Sequence, residues 1–154
     1  MNLRITNSPA WTMLENKDRK NPYEFLFPEG NCGSWRYEFD DTYGNLTAAQ
    51  NNCKKAVLSC IVEEARYSNA DALSMNNRMM GKAIGWCCLY CHTNDTDAHK
   101  RILIFMIENN LIPKDQFGNL VNIEFQRDWC TPPSTKPKAI SLSDFIDLKT
   151  GKLK

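Results

Sequence analysis

The sequence has few of the marks of an enzyme. It holds only two histidines in 154 residues, so the side chain best suited to proton transfer near neutral pH is scarce. It contains no Gly-rich phosphate loop, no H-E-x-x-H and no G-x-S-x-G. Those absences remove the signatures of phosphate cradles, zinc proteases and nucleophile elbows. No run of about 18 apolar residues occurs, so no membrane-spanning helix is expected. The stretch Met1-Asn2-Leu3-Arg4-Ile5-Thr6-Asn7 lacks the continuous apolar segment of a secretion signal. An excess of one charge is missing too: 19 Lys and Arg face 18 Asp and Glu, for a net charge of +1. That balance argues against nucleic acid and anionic membrane as partners.

What is present is a folded composition. Four Trp, five Tyr and seven Phe give enough large apolar side chains for a core, and the length suits a single globular domain over 1–154. Glu38, Asp40 and Asp41 form a small acidic patch. Lys136, Lys138, Lys149, Lys152 and Lys154 make the C-terminal segment basic. Both read as solvated surface. The seven cysteines are odd in number, and several are placed like core residues. With no secretion signal, reduced thiols in a cytoplasmic, intracellular setting are expected. Asparagine is frequent, with doublets at Asn51-Asn52, Asn76-Asn77 and Asn109-Asn110, and carries no functional meaning we can name.

Residues 1–46 read as β-like or irregular. Leu3 and Ile5 alternate with polar neighbours, Tyr23 to Phe27 lies between prolines, and Trp35-Arg36-Tyr37-Glu38-Phe39 alternates aromatic with charged residues, the pattern of half-buried strands. Asp40 to Asn45 has turn chemistry. Thr47 and Gln50 fit a capping box, after which Cys53, Val57, Cys60, Ile61 and Ala65 recur at helical spacing. A second helix is expected from Asn69 or Asp71 to about Cys91. From Met79 to Cys91 its only charge is Lys82, as in a buried central helix. A third is expected to start at Asp95 or Thr96 and end at Asn109-Asn110. Asp115 to Asn119 reads as a turn, and Val121, Ile123 and Phe125 alternate as in a strand. The Pro-rich segment 131–138 reads as a surface arm. Ile140 to Leu148 is apolar enough to dock on the body, with a short hairpin at Lys149 to Lys152. The expected fold class is therefore α+β. It has a helical core of about three helices around a buried central helix (about 70–91), with short antiparallel strands from the N-terminal region and residues 120–125.

The densest chemistry is Trp86-Cys87-Cys88-Leu89-Tyr90-Cys91-His92, a cysteine-rich helix on this reading. Cys88 to His92 matches the C-x-x-C-H pattern of c-type haem attachment, but haem is joined outside the cytosol and no export signal accompanies it. Zinc is the next cofactor to weigh. Cys88, Cys91, His92 and His99 are metal-ligating types, one helical turn relates Cys88 to Cys91 and His92, and Cys87 or Cys130 could add a ligand. No second C-x-x-C pair completes the usual structural site. Packing is the competing explanation. Met80, Ile84, Cys87 and Cys91 form one helical stripe, Gly81, Gly85, Cys88 and His92 another, and Met79, Ala83, Trp86 and Tyr90 a third. Cysteine then serves as a small hydrophobe, and packing is the expectation adopted.

Cys32 stands apart in Pro28-Glu29-Gly30-Asn31-Cys32-Gly33-Ser34-Trp35. Cysteine hydrolases place nucleophiles in comparable loops, with His92 or His99 available here as base. The likeness to papain-type enzymes covers a few residues and lacks their second cysteine before the Trp. No helix follows to lower the thiol pKa, so a plain turn cysteine is preferred. The adjacent carboxylates Glu63-Glu64 and Asp40-Asp41 read as surface. Trp35 to Phe39 reads as a core strand, not a base-stacking platform. Three functions follow in order. The first is a small non-enzymatic protein-binding module, with another protein as partner and no cofactor, of the kind that suits a viral or phage accessory protein modulating a host factor. The second is a cysteine-dependent hydrolase built on Cys32. The third is a zinc-stabilised binding module using Cys88, Cys91, His92 and His99.

Overall fold

Residues 84–92 form a strand, and this reverses the expected architecture. In the computed structural model, which describes residues 3–19, 23, 29–41, 45–69, 84–131 and 133–154, the elements are mostly strands. They are β1 (Leu3–Asn7), β2 (Trp11–Asn16), β3 (Cys32–Asp40), α1 (Leu46–Leu58), β4 (Glu64–Ser68), β5 (Ile84–His92), α2 (Thr96–Glu108), β6 (Gln126–Arg127) and a 3-10 turn at Leu142–Asp144. One six-stranded sheet has the order β1-β2-β4-β5-β3-β6. The registers of β1 with β2, β2 with β4, β4 with β5 and β3 with β6 are all antiparallel. The helical core around 70–91 is thus corrected to a sheet with two helices among the described residues; residues 70–83 lie outside them.

The physical reason is visible in β5. Cys87, Leu89 and Cys91 are buried on one face and Cys88 and Tyr90 on the other. A strand covered on both faces is a continuous apolar run, and periodicity does not separate it from a buried helix.

The chain divides into two compact units, one of residues 1–20 and 36–90, the other of residues 21–35 and 91–154. In the first unit, α1 packs on β2 and β4 through Ala49, Cys53, Ala56 and Val57. The expected Thr47–Gln50 capping box does not form. The N-cap is Asn45, two residues earlier, and the Leu46 N–H donates to Asp41 Oδ1 at 2.7 Å. Nor does the helix reach Ala65. Cys60 takes the left-handed conformation at φ 60°, the Ile61 N–H returns to the Ala56 carbonyl, and Ala65 lies in β4. Strand β2 had no sequence signal that we read, although Thr12 and Leu14 alternate inward.

In the second unit, α2 begins as expected: Asp95 accepts the Ala98 N–H at 3.0 Å. It ends at left-handed Asn110, φ 56°, with the Leu111 N–H on the Met106 carbonyl. The strand expected over 120–125 is corrected. That segment makes isolated bridges, Lys114 with Leu120 and Glu124 with Ser141, and the ladder itself is β6. Gly33 permits it, because a Cβ there would lie 2.2 Å from the Gln126 carbonyl oxygen. Leu142 and Ile146 are fully buried, so the C-terminal segment docks as expected, and Ile146 bridges Leu153 across a turn at Gly151. Residues 133–138 of the Pro-rich arm are exposed. The strand expected at Tyr23 to Phe27 lies outside the described residues except for Tyr23. No described helix is long and apolar enough to cross a membrane.

Candidate functional site

Strand geometry separates the cluster that looked like a ligand set. Side chains three apart on a strand point to opposite faces, so Cys88 and Cys91 diverge. Cys88 is paired across to Arg66 on β4. His92 meets the Tyr23 ring edge-on, with centroids 5.1 Å apart. Cys87 points at α1, its thiol 3.9 Å from the Ala49 carbonyl, and Cys130 is exposed. Among the described residues no three His, Cys, Asp or Glu side chains gather as a metal site would require. Cys87, Cys88 and Cys91 are buried in β5, a strand and not the expected helix.

Two of the flagged residues do meet. His99, on α2, is 1% exposed, and its Nδ1 lies 3.7 Å from Cys91 Sγ. This resembles a thiol–imidazole pair, but its bonding forbids that chemistry. Trp35 Nε1 donates to the same Nδ1 at 2.9 Å. An indole N–H only donates, so Nδ1 must be unprotonated. Nε2 is then the protonated nitrogen and donates to the Thr93 carbonyl at 2.7 Å. Burial holds the His99 pKa below its ordinary value. It also pushes the Cys91 thiol up to about 12, with Asp95 adding to the shift. A neutral imidazole with both nitrogens engaged beside a protonated, buried thiol is a core arrangement. Phe145 stacks on His99 at 5.2 Å and 18°, and Phe125 meets it edge-on at 4.7 Å.

Cys32 is fully buried, and its thiol donates to the Tyr23 carbonyl at 3.4 Å. A sulfur at that depth is not presented to a substrate, and both nitrogens of His99 are already committed. Cys32 to Trp35 lie within β3 itself, so the turn cysteine expected at position 32 is corrected to a buried strand residue.

The first unit carries a charged network that the sequence concealed. Glu15 and Glu64 are direct cross-strand partners on β2 and β4, and both are buried. Like charges placed opposite each other repel. Arg19 is inserted against both, at 2.8 Å from Glu15 and 2.7 Å from Glu64. Arg4 closes one end on Glu15 at 2.6 Å, and Arg66 closes the other on Glu64 at 2.8 Å while its guanidinium lies 4.8 Å over the Tyr90 ring. Glu64, expected at the surface, is fully buried. Its partners are remote in sequence, so adjacency to Glu63 carried no information.

The surface offers two features. The turn at 115–119 presents Phe117, 77% exposed. Asp115 Oδ1 accepts the N–H groups of Phe117 and Asn119 at 2.9 and 3.0 Å, the Asp115 N–H donates to the Asn119 carbonyl, and Gly118 takes φ 81°. The aromatic ring is therefore displayed on a locked hairpin tip. Elsewhere in the same unit a recess of about 380 Å3 is bordered by Thr93, Asn94, Arg127, Lys138, Ile140 and Phe145. The sequence signalled the turn but not its exposed ring, and gave no sign of the recess, whose walls come from four separate segments. Compared with protein-family models, with curated proteins and with solved structures, the chain has no significant match.

Proposed function

We propose that the chain is a small non-enzymatic protein-binding module that uses Phe117 as its anchor. The observation that supports this reading is the 77% exposure of a large apolar ring on a turn whose backbone is fixed by Asp115. A solvated phenyl ring gains by entering an apolar pocket, and a rigid support lowers the ordering cost of binding. Aromatic anchors of this kind carry a large share of the energy at protein interfaces. The partner fitting it is a protein with a small apolar pocket.

The test compares the wild-type chain with Phe117→Ser. The substitution lies on an exposed tip, so the melting temperature is expected to stay within about 2 °C, the size set by a neutral surface change. Immobilised wild type is expected to retain a partner protein from lysate, and Phe117→Ser to lose at least about tenfold of that retention, as fits an anchor worth more than 1.4 kcal/mol. Equal retention by both, or none by either, overturns the reading. For the viral or phage accessory protein expected from the sequence, the lysate to probe is that of the host.

A further inference from the structure

The recess beside His99 combines unneutralised positive charge with an apolar flank. Arg127 and Lys138 both border it, and among the described residues neither forms an ion pair. The guanidinium is held in place, because Arg127 Nη2 donates to the Lys138 carbonyl at 3.0 Å. Its remaining N–H groups are left for another acceptor. One carboxylate, Asp144, also borders the recess. It is partly committed, since its Oδ2 accepts the Ser141 N–H at 2.8 Å in the capping box of the 3-10 turn. Thr93 and Asn94 add polar groups, and Ile140 and Phe145 add apolar surface. A volume of about 380 Å3 falls at the lower end of the range for small-molecule sites.

We propose that this recess binds a small organic anion, with Arg127 and Lys138 on its charged head and Ile140 and Phe145 against its apolar body. A guanidinium fork beside an ammonium suits a phosphate or carboxylate head group. The site binds without transforming its ligand. His99 lines the recess with both ring nitrogens engaged, Cys91 is buried and protonated, and Asp144 is partly committed to its capping box, so the recess offers no activated nucleophile. The assignment is independent of the Phe117 anchor, which lies on a different turn.

The test titrates the full 15N-labelled chain with phenyl phosphate at low ionic strength and follows backbone amide shifts. Saturable shifts are expected at Thr93, Asn94 and Ile140. Lys138→Gln alters an exposed side chain and leaves the fold intact, and it is expected to weaken binding about fivefold or more, as is Arg127→Gln. Phenol, the same ring without charge, is expected to bind at least about tenfold more weakly. Benzoate exchanges phosphate for carboxylate, and whichever of the two binds more tightly names the head group, provided that both variants weaken it. Inorganic phosphate binding as tightly as phenyl phosphate would show an adventitious ion only and overturn the proposal. So would the absence of saturable shifts at millimolar phenyl phosphate, or binding that survives both substitutions.

Discussion

Trp35 and His99 fix each other's chemistry, because an indole N–H can only donate and an imidazole that accepts it at Nδ1 cannot carry a second proton there. Protonating His99 in the folded chain costs this bond and places a cation among Trp35, Phe125 and Phe145. Its folded pKa is lowered by burial, so the unfolded chain takes up the proton first, at about 6.5. The His99 contribution to stability is therefore constant above that pH and falls as pH drops from about 6.5 toward the folded value. Urea denaturation at pH 7.5 and 5.5 should show this loss. His99→Gln, whose amide can still accept from Trp35 and donate to Thr93, should flatten it. A steeper loss in the variant would contradict the assignment. Arg19 makes the converse case. Replacing it by Gln leaves Glu15 and Glu64 facing each other, buried, with one fewer cation. A cost of about 3–5 kcal/mol at pH 7 is expected. A cost below about 1 kcal/mol in urea denaturation, the size of an exposed ion pair, would argue against a buried Arg19 bridge.

The elements read correctly from the sequence share a property: each has one face inward. Trp35, Tyr37 and Phe39 alternate inward along β3, and α2 starts at an Asp cap and ends at an Asn that tolerates a positive φ. Strand β5 defeats that logic because both faces are covered, and its cysteines suit either structure. The helical stripes drawn through Cys87 and Cys88 were real spacings with no bearing on the backbone adopted. Helix α1 was found but overrun, because its stop is a cysteine in a conformation that normally calls for Gly or Asn. Cys60→Gly should therefore stabilise the chain by about 1 kcal/mol, the excess of left-handed strain over the added backbone entropy. A thermal melt that falls would mean that Cys60 gains something from its side chain there. The candidate site was less legible than the fold. Cys91 and His99 were both singled out and do meet. Arg127 and Lys138 converge from segments with no motif between them, and Phe117 became visible only once the turn was seen to point outward.

Across the whole chain, the burial of sulfur gives a direct check. Cys60 and Cys130 are exposed, while Cys32, Cys53, Cys87, Cys88 and Cys91 are buried. Reaction with an aromatic disulfide reagent under native conditions should label two thiols quickly and the other five only as the chain unfolds. Rapid labelling of Cys32 would reopen the hydrolase reading.

The interleaving of the two units has a kinetic consequence. The second unit joins residues on either side of a long stretch that belongs to the first: Thr93 bonds Gly30 across 63 positions, and Trp35 bonds His99 across 64. Its aromatic centre cannot assemble until that loop has closed, so the loop-closure entropy is spent before those contacts return anything. During synthesis, Trp35 must wait for α2 to emerge, its ring exposed to other chains in the interval. This makes slow, late consolidation around His99 the step at which aggregation competes with folding.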